Sequence, residues 1–208
     1  MTVLPGELKF RMRRPPSSRR AFTLVEALVS TAIMAVAGAA VLLGIANSID
    51  ATDANLQQTL AIGMAQTLMD EISAQRYLEL GGNPYTPTLQ PDAGETAGPG
   101  RSLFDDIDDY NGYRSQPPTD RWGVALGTDN GQGAARNAGF QARSGYFSRW
   151  HQQVDVYYVS DSDASQALPP GSTSNFRAVR VTILVDDAAR GPLQRAQLTR
   201  VFAYVPNS

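Results

Sequence analysis

Glu26 is the only charged residue in the run from Phe22 to Ile45, and it stands close behind the pair Arg19 and Arg20. A carboxylate left in hydrocarbon costs about 2.5–3.5 kcal/mol even on the mildest insertion scale, so a chain that keeps one there gives it a partner or a task. A second concentration of oxygen chemistry lies in the stretch FDDIDDYNG, where Asp105, Asp106, Asp108 and Asp109 precede Asn111. Carboxylates at this density suit a hard cation such as calcium. They miss the EF-hand spacing, because Gly112 in the sixth position places Ile107 first and Pro118 last. An acidic turn, solvated and capped by its own Asp side chains, accounts for the same residues and is the expectation, with calcium as the alternative.

Other chemistry is excluded by what the chain lacks. His151 is the only histidine and there is no cysteine, which removes paired-histidine metal sites, thiolate zinc sites, thiol catalysis and disulfides. The near-match GQGAAR carries Arg136 where a dinucleotide loop requires its third glycine, and no nucleophile elbow or phosphate loop occurs. No residue set argues for an enzyme, and no cofactor other than the candidate calcium is expected.

The elements that must position these groups follow from charge and periodicity. Lys9, Arg11, Arg13, Arg14, Arg19 and Arg20 all precede the apolar run, against one acid, Glu7. Basic residues beside a span stay on the cytoplasmic side. The remainder is acidic, which argues against direct binding of nucleic acid. Residues 22–45 make about 36 Å of helix, enough to cross a bilayer. Beyond them Ile49, Leu56, Leu60, Met64, Leu68 and Ile72 recur at helical spacing, so an amphipathic helix is expected to continue to residue 80, before Gly81-Gly82-Asn83-Pro84.

Residues 81–146 read as a Gly-, Pro- and Asp-rich loop region, in which Trp122 and Gly123 are expected to begin a short strand and Tyr110 and Tyr113 to pack. Alternation then sets Trp150, Gln152, Val154, Val156 and Tyr158 on one strand face, Val179, Val181, Ile183 and Val185 on a second, and Leu198, Phe202 and Tyr204 on a third, with a hairpin through DDAARGPLQ. The expected class is α+β: a long N-terminal helix, membrane-spanning and then amphipathic, packed on a small antiparallel sheet over residues 147–208.

With these parts in place, RRAFTLVEALVS resembles the processing site of type IV prepilins and of type II secretion pseudopilins: a basic leader, a small residue, Phe-Thr-Leu-x-Glu and a long apolar helix. The resemblance implies a leader over residues 1–21, cleavage by prepilin peptidase between Ala21 and Phe22, and N-methylation of Phe22. Ala21 stands where glycine is usual, and Leu43 where many major pilins carry proline. GMAQTLMDEI, from Gly63, is similar to the helix of I-type minor pseudopilins. The new ammonium at Phe22 is what a poorly solvated carboxylate needs, so Glu26 would receive the amine of a neighbouring subunit during assembly.

The implied protein is a structural subunit, a minor pilin or pseudopilin, with prepilin peptidase, other pilin subunits, an inner-membrane assembly platform and the membrane as partners. Its N-terminus would be cytoplasmic and its globular domain periplasmic or in a surface filament. Two other readings compete. A single-span anchor for a periplasmic binding module explains the arginines and the apolar run but leaves Glu26 unexplained. An export signal fits SRRAF and AVAGAA but normally has a shorter, uncharged core.

Overall fold

The computed structural model describes residues 23–128, 137, 139 and 141–206. One helix, α1 (Leu24–Ser73), is followed by short 3-10 turns at Glu95–Ala97 and Asp108–Tyr110 and by four strands: β1 (Arg114–Ser115), β2 (Trp150–Val159), β3 (Phe176–Asp187) and β4 (Gly191–Ala203). The class is α+β, with α1 packed against a four-stranded antiparallel sheet of order β1-β2-β3-β4. Contacts divide the chain into two units, one up to Ala51 and one from Thr52.

In the first unit α1 buries nothing: Leu24, Val25, Ile33, Met34, Val36 and Leu42 are all largely exposed. The helix is long and apolar enough to cross a membrane.

In the second unit the same helix turns amphipathic, and Ala61, Ala65, Leu68, Met69 and Ile72 are buried against the sheet. The inward sets on β2 and β3 are those that alternation requires: Trp150, Gln152, Val154, Val156 and Tyr158 pair in register with Val185, Ile183, Val181, Val179 and Arg177. β4 contributes Leu198 and Phe202 to the edge of this core. A bulge between Ile183 and Leu184 of the β3–β4 pairing places Arg195 out of register, which keeps both Leu193 and Ala196 on the inward face although they are three apart. The Asp187 carboxylate, accepting from the Ala189 and Arg190 amides at 2.9 Å, closes the expected hairpin.

Two expectations are corrected. The helix ends at Ser73, seven residues before the glycine pair. Tertiary pairing overrides local propensity there: Arg76 bridges to Asp106 in parallel fashion, and Ile107 donates its amide to the Arg76 carbonyl at 3.0 Å, so the chain leaves the helical ladder without orphaning its backbone. Trp122 begins no strand. Asp120 Oδ1 accepts from the Trp122 and Val124 amides, Gly123 takes φ +79, and the resulting turn leaves Trp122 66% exposed. This turn is held by a backbone crossing, since a Cβ on Gly100 would lie 2.2 Å from the Gly123 nitrogen.

Two buried arginines hold the loops over residues 74–126, Arg101 from within the loops and Arg177 from the sheet. Arg101, 1% exposed, forks onto Glu71 of α1 with both hydrogen bonds at 2.9 Å, and donates to the Tyr113 hydroxyl at 2.6 Å. Tyr110 donates to the same carboxylate at 3.0 Å. Arg177 of β3, fully buried, binds Asp108 at 3.0 Å and the Tyr77 carbonyl at 2.7 Å, with its guanidinium over the Tyr77 and Tyr158 rings. Glu71→Ala leaves Arg101 buried without its carboxylate and is expected to cost about 3–5 kcal/mol, whereas Glu71→Leu with Arg101→Met should recover most of that loss. Urea unfolding of the detergent-solubilised chain measures both.

Candidate functional site

The first candidate lies at the start of α1. Thr23 is its N-cap, and the Glu26 amide donates to Thr23 Oγ1 at 3.2 Å, the first half of a Thr-x-x-Glu capping arrangement. Local sequence thus starts the helix two residues after Phe22 and presents Glu26 in its first turn, where helical amides favour a negative charge. The Glu26 side chain is exposed, and among the described residues its carboxylate makes no ion pair. Ala21 and Phe22 lie outside the described residues.

The second candidate is the acidic run. The sequence grouped Asp105, Asp106, Asp108, Asp109 and Asn111, and the structure keeps the acids close while giving them different partners. Asp108 is drawn to Arg177, Asp105 pairs with Arg76, and Asn111 is spent on the Leu89 carbonyl and the Val156 amide, each at 2.8 Å. Asp106 and Asp109 cap the turn: Asp109 Oδ2 accepts from the Asp105 and Asp106 amides at 2.8 and 3.0 Å, and Asp106 Oδ1 accepts from the Asp108 amide at 3.0 Å.

Two acids that the sequence reading missed join the run. Glu79 approaches Asp105 and Asp106, and Glu95 approaches Asp105 and Asp109, each trio with carboxylate oxygens within 4.8 Å of one another. Such trios have the donor chemistry for a hard cation, although one oxygen each of Asp105, Asp106, Asp109 and Glu95 already accepts from an arginine or a backbone amide. Neither acid carries a sequence signal, because each reaches the run by loop geometry alone.

Burial and like-charge neighbours raise two of these carboxyls. Asp106, desolvated and beside Asp108 and Asp109, is pushed up to about 8, and Glu95, desolvated and hydrogen-bonded to Asp109, to about 7. The folded state therefore binds protons more tightly than the unfolded chain. Stability from the protonated forms is fully present below the ordinary values of 3.8 and 4.5 and is lost progressively as pH rises to about 7 and 8. Asp163 and Asp187, held low by hydrogen bonds, titrate below that window. The melting temperature should fall from pH 5 to pH 9, and Asp106→Asn should flatten the fall. With the carboxylates so engaged, millimolar calcium and a chelator should give the same melting curve. A calcium-dependent rise at pH 8 that Asp109→Asn abolishes would assign the cluster to an ion.

His151 lies with Nε2 2.9 Å from Asp186, an ordinary strand-edge pair. Tyr110 is fully buried and edge-on to Phe104, and so acts in packing as expected.

Comparison with known proteins singles out the first candidate. Residues 16–42 match the prokaryotic N-terminal methylation motif. No curated protein and no solved structure is significantly similar to the chain. The matched segment contains Ala21, Phe22 and Glu26 and runs into the exposed apolar half of α1. Such a motif implies processing by a peptidase and assembly with other pilin subunits. Over residues 16–42 the chain is similar to the prokaryotic N-terminal methylation motif, which supports a type IV prepilin-like reading.

Proposed function

We propose that the protein is a minor pilin or pseudopilin that is clipped between Ala21 and Phe22, methylated on the new amine, and assembled through α1 into a short filament. The supporting observation is the placement of Glu26, the lone carboxylate of the apolar run up to Ile45, in the first turn of α1 and three residues after the cap. An ammonium at Phe22 of the neighbouring subunit neutralises that carboxylate in a medium that solvates neither. Pairing of the two charges sets axial register, while the apolar surface of Leu24 to Ile49 supplies contact area. Orientation follows from the basic segment before Ala21, which keeps the N-terminus cytoplasmic and sends the second unit to the periplasmic side of the inner membrane. The mechanism is polymerisation, and no catalytic constellation is assigned.

Intact-mass measurement of the membrane-extracted protein should find a chain beginning at Phe22 with one added methyl; a retained Met1 leader would favour a plain membrane anchor. Ala21→Leu should abolish cleavage, because the position before the cut takes a small side chain. Glu26→Gln should leave insertion and cleavage intact and reduce recovery in filaments about tenfold or more, as expected for loss of a desolvated charge partner. Normal filament recovery of this variant would sink the assigned role.

A further inference from the structure

β4 is an edge strand: in the order β1-β2-β3-β4 it pairs on one side only. The direction of its free backbone groups follows from the ladder. Val154 of β2 donates its amide to the Tyr113 carbonyl at 3.0 Å and accepts the Gly112 amide at 3.1 Å, so both of its backbone groups point away from β3. In an antiparallel sheet this direction alternates from residue to residue, and directly opposite residues exchange bonds in every second pair. Val154 stands opposite Val181 without bonding it, so Val181 bonds to Leu198 on its other side. Leu198, Arg200 and Phe202 thus aim their backbone groups at β3, and Gln197, Thr199, Val201 and Ala203 aim theirs outward. These four residues are exposed, and among the described residues their outward amides and carbonyls make no hydrogen bond.

An open edge is a template for another strand, and proteins that have one usually blunt it with proline, a bulge or charge. In β4 the proline and the bulge come early. Pro192 and the out-of-register Arg195 lie at its start, whereas Ala196 to Ala203 has neither device. The charge along the strand is of one sign. From Ala188 to Ser208 the chain carries Arg190, Arg195 and Arg200 and no acid, although acids outnumber arginines in the rest of the second unit. Arg200 is half exposed, donating to Ser73 Oγ at 2.6 Å and lying 3.8 Å from Asp70, and among the described residues Arg195 makes no ion pair.

We infer that the edge of β4 from Gln197 to Ala203 is a docking site for an extended, acidic segment of another protein, which adds to the sheet as a fifth strand. A row of outward amides and carbonyls at every second residue is matched in full by the backbone of another strand. Charge decides between possible strands. A second copy of β4 would line the seam with another set of the same arginines, whereas glutamates or aspartates on the incoming strand meet Arg195 and Arg200 as cross-strand partners. The edge lies in the second unit and is open whether or not the chain is clipped at Ala21.

The test titrates the detergent-solubilised full-length protein with fluorescent eight-residue peptides and reads anisotropy. A peptide of alternating valine and glutamate should bind, and its counterpart with lysine for glutamate should bind about tenfold more weakly or worse. Arg195→Gln with Arg200→Gln should erase that preference. Thr199→Pro removes one outward amide at a position of the kind that Pro192 already occupies, so it should keep the melting temperature within a few degrees and weaken binding about tenfold or more. In the unaltered protein, hydrogen exchange at the Thr199 and Val201 amides should slow on saturation with the acidic peptide, a readout that does not depend on any variant folding. No binding at millimolar peptide, equal binding of the two peptides, or exchange at Thr199 and Val201 that the peptide leaves unchanged overturns the assignment. Concentration-dependent dimerisation that Thr199→Pro abolishes, without peptide binding, would make the occupant a second copy and overturns it as well.

Discussion

The fork of Arg101 onto Glu71 is the interaction on which the second unit depends. A guanidinium 1% exposed cannot be left unpaired, so wherever Arg101 goes the loop must bring it to a carboxylate, and Glu71 is the one that α1 presents. Tyr110 and Tyr113 complete the shell, and the Gly100–Gly123 crossing sets the angle from which the arginine enters. Arg177 does the same from the sheet, tying β3 to the Tyr77 carbonyl and to Asp108. Loops that contain little regular structure are thereby fixed at two points, one on the helix and one on the sheet. Pairs of this kind add little net stability over apolar packing, but they discriminate sharply among chain paths, because each wrong path strands a buried charge.

The acidic turn follows from the second of these points. Once Asp108 is committed to Arg177, the remaining carboxylates are held near one another by their own caps, and Asp106 and Glu95 respond by holding their protons to higher pH. Their proximity is thus a consequence of how the loop is anchored, and it gives the unit a stability that declines as pH rises from acid to about 8.

α1 faces two different solvents. Its first half spends its apolar surface outward, where only another apolar medium or other helices can cover it; its second half spends that surface on Val154, Val181 and Ile183. The change falls near Asp50 and Asp53, where charged residues re-enter the helix. Glu26, in the first turn, is where the helix carries a residue that its own fold does not consume.

Periodicity alone determined the apolar run, the amphipathic continuation and the inward faces of β2, of β3 and of β4 at Leu198 and Phe202, because each of these is a local repeat of 3.6 or 2 residues whose burial depends on side-chain type. The processing motif was equally legible, since its parts are adjacent in the chain. Tertiary structure alone decided where α1 stops, which acids meet, and what Trp122 does. Arg76 leaves the helix to pair with a segment about thirty residues on, Glu79 and Glu95 meet Asp105 from separate loops, and Arg101 finds Glu71 across thirty positions. No local pattern encodes such meetings. They are settled by the requirement that every buried charge and backbone group find a partner, and that requirement acts only once the chain has closed on itself.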